Sequence, residues 1–303
     1  MSRQQRDALD ALLRSIPRRE TPTTVEEQRS GFAAGLTRPA PVDVATRRTT
    51  LGGRPALELE PAGAAERGVL LYLHGGGYVL GSPDTHAGLV GELAGRAGLR
   101  AISLDYRLAP EHAFPAAVDD GLAAYRELLG TGTDPRELVL AGDSAGGGLA
   151  LATLLAAREA GLPLPAAVVV LSPWADLTLA GASIRTKNDA DPIFAETDLR
   201  AYADLYAGAA DPAQPLASPV FADLTGLPPL LVQVGANELL LDDAVRLAAR
   251  AGADGVEVTL EIGAGLPHVY QTNYGRLDEA DAALDRAARF LATHLAADRL
   301  AAA

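Results

Sequence analysis

The sequence contains no cysteine. Disulfides and thiolate metal sites are thereby excluded, and any metal chemistry would have to rest on histidine and carboxylates. Cations are also scarce: 26 Lys and Arg stand against 39 Asp and Glu, a net charge of −13. No basic stripe offers itself to a phosphate backbone, so a nucleic-acid partner is not expected. No stretch reaches the roughly 18 consecutive apolar residues of a membrane span. The charged start, Met1 to Asp7, has no apolar h-region after it. A cytoplasmic protein with no membrane partner is the expectation. What is present is a chain of 303 residues, long for one average domain but of a length that α/β folds reach as a single core carrying insertions.

The most informative stretch is Val139-Leu140-Ala141-Gly142-Asp143-Ser144-Ala145-Gly146-Gly147-Gly148. An apolar run, Leu138 to Ala141, predicts the end of a buried strand, and the small residues after Ala145 predict a helix. A serine on the sharp turn between them has strained backbone angles, and its neighbours two positions away must be nearly side-chain-free for strand and helix to approach. The hydroxyl is pushed into the open, and the helix N-terminus adds partial positive charge where an oxyanion would form.

Around this turn the chain alternates strand and helix. Apolar positions Leu9, Leu12, Leu13 and Ile16 predict an amphipathic helix over 3–16, ended by Pro17. The segment from Glu20 to Pro41, with Pro22, Pro39 and Pro41, cannot hold much of a core, and Val25 to Leu36 predicts a short helix laid over something else. Strands are predicted over 43–50 and 55–60 around Gly52-Gly53. Further strands fall over Gly68 to Leu73, Arg100 to Leu104, Ala166 to Leu171, Pro229 to Gly235 and Val256 to Ile262. Helices fall over 115–129, about 241–251, and from the last loop to about Ala297. This order predicts a parallel sheet built through right-handed crossovers.

Several loops at strand ends carry chemistry. His74-Gly75-Gly76-Gly77-Tyr78 follows a strand, and three glycines let backbone N–H groups face a bound oxygen. His74 itself is expected to brace that loop. In Asp105-Tyr106-Arg107-Leu108-Ala109-Pro110-Glu111, the residues Asp105, Arg107 and Glu111 are expected to pair with one another. Residues 177–226 interrupt the alternation with scattered apolar side chains and four prolines, and an insertion at the carboxyl ends of strands is where a substrate lid sits. His268 stands in a Gly/Pro loop after the last strand, in the position of a catalytic base.

The motifs His74-Gly75-Gly76-Gly77-Tyr78, Asp105 to Glu111, Gly142-Asp143-Ser144-Ala145-Gly146-Gly147 and Pro267-His268-Val269 together resemble the hormone-sensitive-lipase family of α/β-hydrolases, the bacterial family IV carboxylesterases. The resemblance runs from about residue 65 to the end. It implies an α/β-hydrolase fold, a mostly parallel central sheet with helices on both faces, plus a helical cap. The division would be 1–40 N-terminal cap segment, 41–176 first part of the core, 177–226 cap insertion and 227–303 second part of the core. It implies hydrolysis of short-chain carboxylic esters through an acyl-enzyme on Ser144, with His268 as base, oxyanion amides at Gly76, Gly77 and Ala145, and no metal or cofactor. Most of the family has an aspartate as catalytic acid in a motif like Asp-Pro-Leu-x-Asp. Here the stretch reads Glu238-Leu239-Leu240-Leu241-Asp242, which puts Glu238 in the acid position and leaves Asp242 in reserve. A glutamate suffices, because the role needs only an ionised carboxylate accepting from histidine Nδ1–H. Asp242 and Asp243 more naturally occupy the first turn of the next helix.

Tyr78, Tyr206 and Phe194 are read as pocket lining. The expected partner is a small-molecule ester, with a homodimer through the alternating strand Val256 to Ile262 as a further expectation. An amidase or deacetylase would use the same machinery. A non-catalytic small-molecule binder on this scaffold would be expected to lack the base, and His268 is intact.

Overall fold

Eight extended segments pair into one sheet in the order β1-β2-β4-β3-β5-β6-β7-β8. In the computed structural model, which describes residues 2–16, 24–64 and 68–301 and side chains over 3–16, 24–64 and 68–295, the elements follow the chain. They are α1 (Ser2–Ser15), α2 (Val25–Leu36), β1 (Val44–Leu51), β2 (Arg54–Pro61), β3 (Val69–Leu73), α3 (Pro83–Ala97), β4 (Arg100–Leu104), α4 (Ala116–Gly130), β5 (Leu138–Asp143), α5 (Ala145–Glu159), β6 (Ala167–Leu171), α6 (Ser183–Thr186), α7 (Glu196–Ala207), β7 (Leu230–Gly235), α8 (Leu241–Ala253), β8 (Val258–Gly263) and α9 (Asp278–Ala301). Pro17 and Pro22, which sequence reading made helix and segment breakers, lie outside the described residues.

The first two strands form a hairpin that joins β4 antiparallel; from β4 onward every pairing is parallel. The continuous apolar strands explain why. Leu71 and Leu73 of β3 point into the core shared with α4, α5 and α8, while Leu70 and Tyr72 point into the core shared with α3 and α9. A strand apolar on both faces is stable only when helices cover both. All of β3, β5, β6 and β7 is buried, each fully buried Leu or Val contributing roughly 1.5–3 kcal/mol. The carboxyl ends of these strands converge on one edge, and the loops that leave them build the site.

Besides the end of α8, at Ala253 rather than about 251, two boundaries differ from the sequence reading by two residues or more. β8 begins at Val258 rather than Val256 because the Val256 N–H closes α8 on the Ala251 carbonyl, after Gly255 at φ 79°. The final helix continues past Ala297 to Ala301. A third expectation is corrected: Asp105, Arg107 and Glu111 do not pair with one another. Arg107 forks onto Asp120 of α4 at 2.7–3.0 Å, and Glu111 takes Arg29 of α2. Asp120 is buried, so its carboxylate needs a cation more than any exposed loop residue does.

The segments expected to cover the site attach differently from the core. α2 buries none of its side chains. It is held by Arg29, whose guanidinium donates to the Val79 and Ala109 carbonyls as well as to Glu111. α1 is tied by Arg14 to the Asp189 and Ala190 carbonyls and by Arg6 to the Ala264 carbonyl. Tyr202 of α7 donates to the Gln28 side chain of α2, joining the two covering segments. The later part of 177–226 returns to the core: Ser218 Oγ accepts from Leu177 N, and Val220 N donates to the Ala175 carbonyl. Among the described residues no helix is long and apolar enough to cross a membrane.

Candidate active site

Ser144 follows the last residue of β5 and precedes the first of α5, with φ 52° and ψ −123°. That conformation costs on the order of 1–3 kcal/mol for a residue with a Cβ, and the surroundings hold it from both sides: Ser144 N donates to the Leu171 carbonyl, and the Ser144 carbonyl accepts from Trp174 N. The need for Gly146 is steric, since a Cβ there would lie 2.0 Å from the Leu73 carbonyl oxygen and 2.5 Å from that of His74. β3 and the start of α5 approach so closely that any other residue would separate them.

β3 ends in the glycine loop. Gly76 adopts φ 122°, and a Cβ on it would stand 2.3 Å from the Leu80 carbonyl. The Gly76 carbonyl closes the turn by accepting from Val79 N and Leu80 N. The loop is moored to the serine turn by Asp143, whose Oδ1 accepts from Gly75 N at 3.0 Å and from Tyr72 OH at 2.8 Å, with His86 Nε2 3.3 Å from Oδ2. Burial pushes the Asp143 carboxyl up, but His86, Tyr72 and His74 more than offset it, and its pKa ends below the ordinary value. It is therefore an anion beneath the loop. His74 is fully buried, stacks on Tyr106 at 4.3 Å and uses Nδ1 on the Gly75 carbonyl. Burial and the neighbouring His86 press its pKa down to about 3, so it stays neutral.

On the other side of Ser144, two loops meet. Glu238, after β7, is wholly buried; its Oε1 accepts from Ser172 Oγ at 2.8 Å and Gly235 N at 2.6 Å, and its Oε2 takes His268 Nδ1. Burial would lower the His268 pKa, but the charge and hydrogen bond of Glu238, helped by Asp191 and Asp143, raise it above the ordinary value. With Nδ1 committed to Glu238, Nε2 is the ring nitrogen left for chemistry. Asp242 is not brought to His268: it sits in the first turn of α8 and exchanges hydrogen bonds with Ser183. Asp243 beside it accepts from Ala175 N and Asp176 N.

Ser144, His268, Gly76 and Gly77 open on one cavity of about 440 Å³, roofed by α2 and α7 and lined mainly by apolar residues. Phe194 lines it and presents its ring to His268, centroids 5.1 Å apart and planes at 73°. Tyr78 and Tyr206 are a correction. Both are buried and stacked on each other at 3.7 Å, and neither lines the cavity. An aromatic after a glycine loop reads as a pocket wall, but the turn at Gly76 directs Tyr78 into the core, where Tyr206 packs on its face. Ser172 was missed: besides donating to Glu238 it accepts from Val269 N, so one hydroxyl holds both the acid and the residue after His268. The only signal was its place at the end of β6. Among the described residues no group of three or more His, Asp or Glu is placed to hold a metal.

A sheet of this topology, a serine on a strained strand-to-helix turn and a carboxylate-paired histidine after the last strand define an α/β-hydrolase. Residues 70–272 match the family described as the alpha/beta hydrolase fold. The chain is 48 % identical over 244 residues to an acetyl-hydrolase of Streptomyces hygroscopicus, covering 80 % of this chain and 81 % of that one. It is 36 % identical over 248 residues to an esterase of Acinetobacter venetianus, covering 82 % of each. Among solved structures, an esterase/lipase from an uncultured bacterium superposes with a TM-score of 0.93 at 43 % identity, over 96 % of this chain and 99 % of the other. An esterase from the bacterial hormone-sensitive lipase family superposes at 0.92 and 45 %, over 96 % and 98 %. The chain thus belongs to the alpha/beta hydrolase family, among the esterases of the bacterial hormone-sensitive-lipase type. It is a carboxylic ester hydrolase.

Proposed function

We propose that the protein is a serine carboxylesterase acting on short-chain carboxylic esters through an acyl-enzyme on Ser144. The observation that carries this reading is the buried Glu238–His268 pair, whose histidine opens on the same cavity as Ser144. His268 Nε2 takes the Ser144 proton as Oγ bonds to the ester carbonyl carbon. The negative charge that moves onto the carbonyl oxygen is met by the amides of Gly76, Gly77 and Ala145. Each such donor is worth on the order of 10²–10³ in rate. Collapse breaks the bond to the alcohol oxygen, which leaves with the proton from Nε2. Water, deprotonated by His268, then attacks the acyl carbon; the acid departs and Ser144 regains its proton. Glu238 holds the ring and stabilises the imidazolium. The modest cavity, roofed by α2 and α7, supports the preference for short chains.

Turnover of p-nitrophenyl acetate, butyrate, octanoate and palmitate tests this. Activity concentrated on acetate and butyrate and absent in Ser144→Ala is the expected result. Wild-type protein that hydrolyses none of the four, or activity that survives Ser144→Ala, would overturn it. The Streptomyces hygroscopicus relative carries the name acetyl-hydrolase, which favours adding an N-acetyl amide to the panel, because the same machinery cleaves both bonds.

A further inference from the structure

The carboxylate of Asp191 is used by none of the steps above, yet it is 1 % exposed and fully engaged. Its Oδ1 accepts from Ile193 N at 2.7 Å and Phe194 N at 3.0 Å, and its Oδ2 accepts from Leu239 N at 2.9 Å. Leu239 is the residue after Glu238. Pro192, Ile193 and Phe194 line the cavity, and the Phe194 ring stands edge-on against His268. The same loop receives α1, since Arg14 donates to the carbonyls of Asp189 and Ala190. One buried carboxylate therefore joins the covering insertion to the acid loop, and the two backbone carbonyls just before it receive the N-terminal helix.

We propose that Asp191 is a positioning residue coupling the seated cap to the catalytic pair: it holds Phe194 against His268 and the chain after Glu238 in the register that keeps that carboxylate on the ring. This rests on the reading of Glu238 and His268 as acid and base. Two physical arguments favour it over simple loop stabilisation. First, the three N–H donors come from two segments 45 or more residues apart in sequence (239 − 194 = 45), which Ser183 also joins through Leu239 and Asp242, and Asp191 carries that junction on to Phe194 beside His268. A carboxylate is the one side chain of this size that accepts on both oxygens without a donor to oppose an N–H. Second, its negative charge favours the imidazolium formed during turnover. Among the described residues the charged groups around that ring are Glu238 from the loop after β7, Asp143 from the end of β5, and Asp191 from the insertion, with Arg14 of α1 beside Asp191 and His86 behind Asp143. Asp191 thus adds to the stabilisation of a protonated His268 while fixing its neighbours.

Asp191→Asn keeps the shape but replaces one acceptor with an N–H₂ that opposes a backbone donor, and removes the charge. Measured with p-nitrophenyl acetate at matched folded fraction, kcat is expected to fall about 10- to 100-fold, as misplacement of a reacting group by about an ångström does, with KM near wild type. The acid limb of kcat/KM is expected to move to lower pH, because an imidazole facing one anion fewer loses its proton more easily. Asp191→Glu, which restores the charge in altered geometry, should return the limb to its wild-type position while kcat stays low. A kcat unchanged in Asp191→Asn, or one lowered with the acid limb unmoved, would overturn the proposal and leave Asp191 a structural residue. If Asp191→Asn does not fold, Phe194→Leu decides: kcat lowered at constant KM supports the coupling, and an effect on KM alone overturns it. The underlying esterase reading fails by a different signal, activity that survives Ser144→Ala in otherwise wild-type protein.

Discussion

The floor of the cavity and its cover are built on opposite plans. The floor, comprising Asp143, Ser144, Ser172, Glu238 and His268, is buried, polar and cross-linked by side-chain hydrogen bonds between four loops. The N-terminal part of the cover buries little: α2 contributes no buried side chain and is held by Arg29 on backbone carbonyls and an exposed ion pair with Glu111. Hydrogen bonds in a low-dielectric, fully satisfied network are strong and costly to break, whereas exposed ion pairs are each worth only about 0–1 kcal/mol. The floor should therefore govern rate with little tolerance for change. The cover should govern what enters, and should yield to mutation without loss of fold.

Loss of the Ser144 hydroxyl is the most severe test. Ser144→Ala is expected to lower kcat by about 10⁴-fold or more, as for a nucleophile acting in a unit with its base, while its melting temperature stays near wild type, because alanine occupies the same backbone conformation with the same strain. Residual activity above a few per cent would break the floor's claim on rate. Glu238→Gln comes next. It leaves the histidine without an ionised partner and should reduce kcat by about 10²–10⁴-fold, while Asp242→Asn should stay within about twofold of wild type. Equal losses in the two would reassign the acid.

The floor also sets the pH response. A base acts only when neutral, and the folded His268 pKa is raised by Glu238 against the opposing effect of burial. Activity should accordingly fall as pH drops through a midpoint on the alkaline side of the ordinary histidine value, about 6.5. The pH profile of kcat/KM for p-nitrophenyl acetate measures this, and a midpoint well below 6 would mean that the pair is less strongly coupled than its geometry indicates.

The contrast also explains what was legible before the structure. Strands buried on both faces announce themselves as apolar runs, so β3, β5, β6 and β7 were readable, and the serine turn was readable because its constraint is local: strand, glycine, serine, glycine, helix. His268 was reachable because chain order and its Gly/Pro loop mark it, and Glu238 because the stretch Glu238 to Asp242 resembles the acid motif of the hormone-sensitive-lipase family. Ser172 was not, because its two hydrogen bonds reach across 66 and 97 residues, and nothing near it in sequence signals either partner. For the same reason Arg107 was assigned to its neighbours when its true partner, Asp120, lies one helix on. Tyr78 and Tyr206 failed differently. Local context places an aromatic near the site but does not say to which side of the loop it turns.

The cover should respond more mildly. Arg29→Gln removes the ion pair with Glu111 and weakens two hydrogen bonds to carbonyls. KM for butyrate esters is expected to rise roughly three- to tenfold with kcat changed by less than about twofold, the signature of lost binding shared by ground and transition states. A fall in kcat as large as that of Glu238→Gln would show that the cover takes part in chemistry and would erase the division between the two regions.

The smallest effect is expected where the two regions touch without exchanging a hydrogen bond. Tyr206 of α7 is fully buried against Tyr78, and its hydroxyl has no partner among the described residues. Burial drives its pKa well above the ordinary value, so the group is neutral. A buried, unpaired hydroxyl has given up its hydrogen bonds to water without replacement, a penalty of about 1–3 kcal/mol. Tyr206→Phe keeps the stacked ring and removes that penalty. Thermal unfolding should show stability unchanged or raised by up to about 1 kcal/mol, with kcat and KM for the short esters at wild-type values. A clear destabilisation would mean that the hydroxyl does find a partner, and the stacked tyrosines would then count with the hydrogen-bonded floor rather than as passive packing beneath the cover.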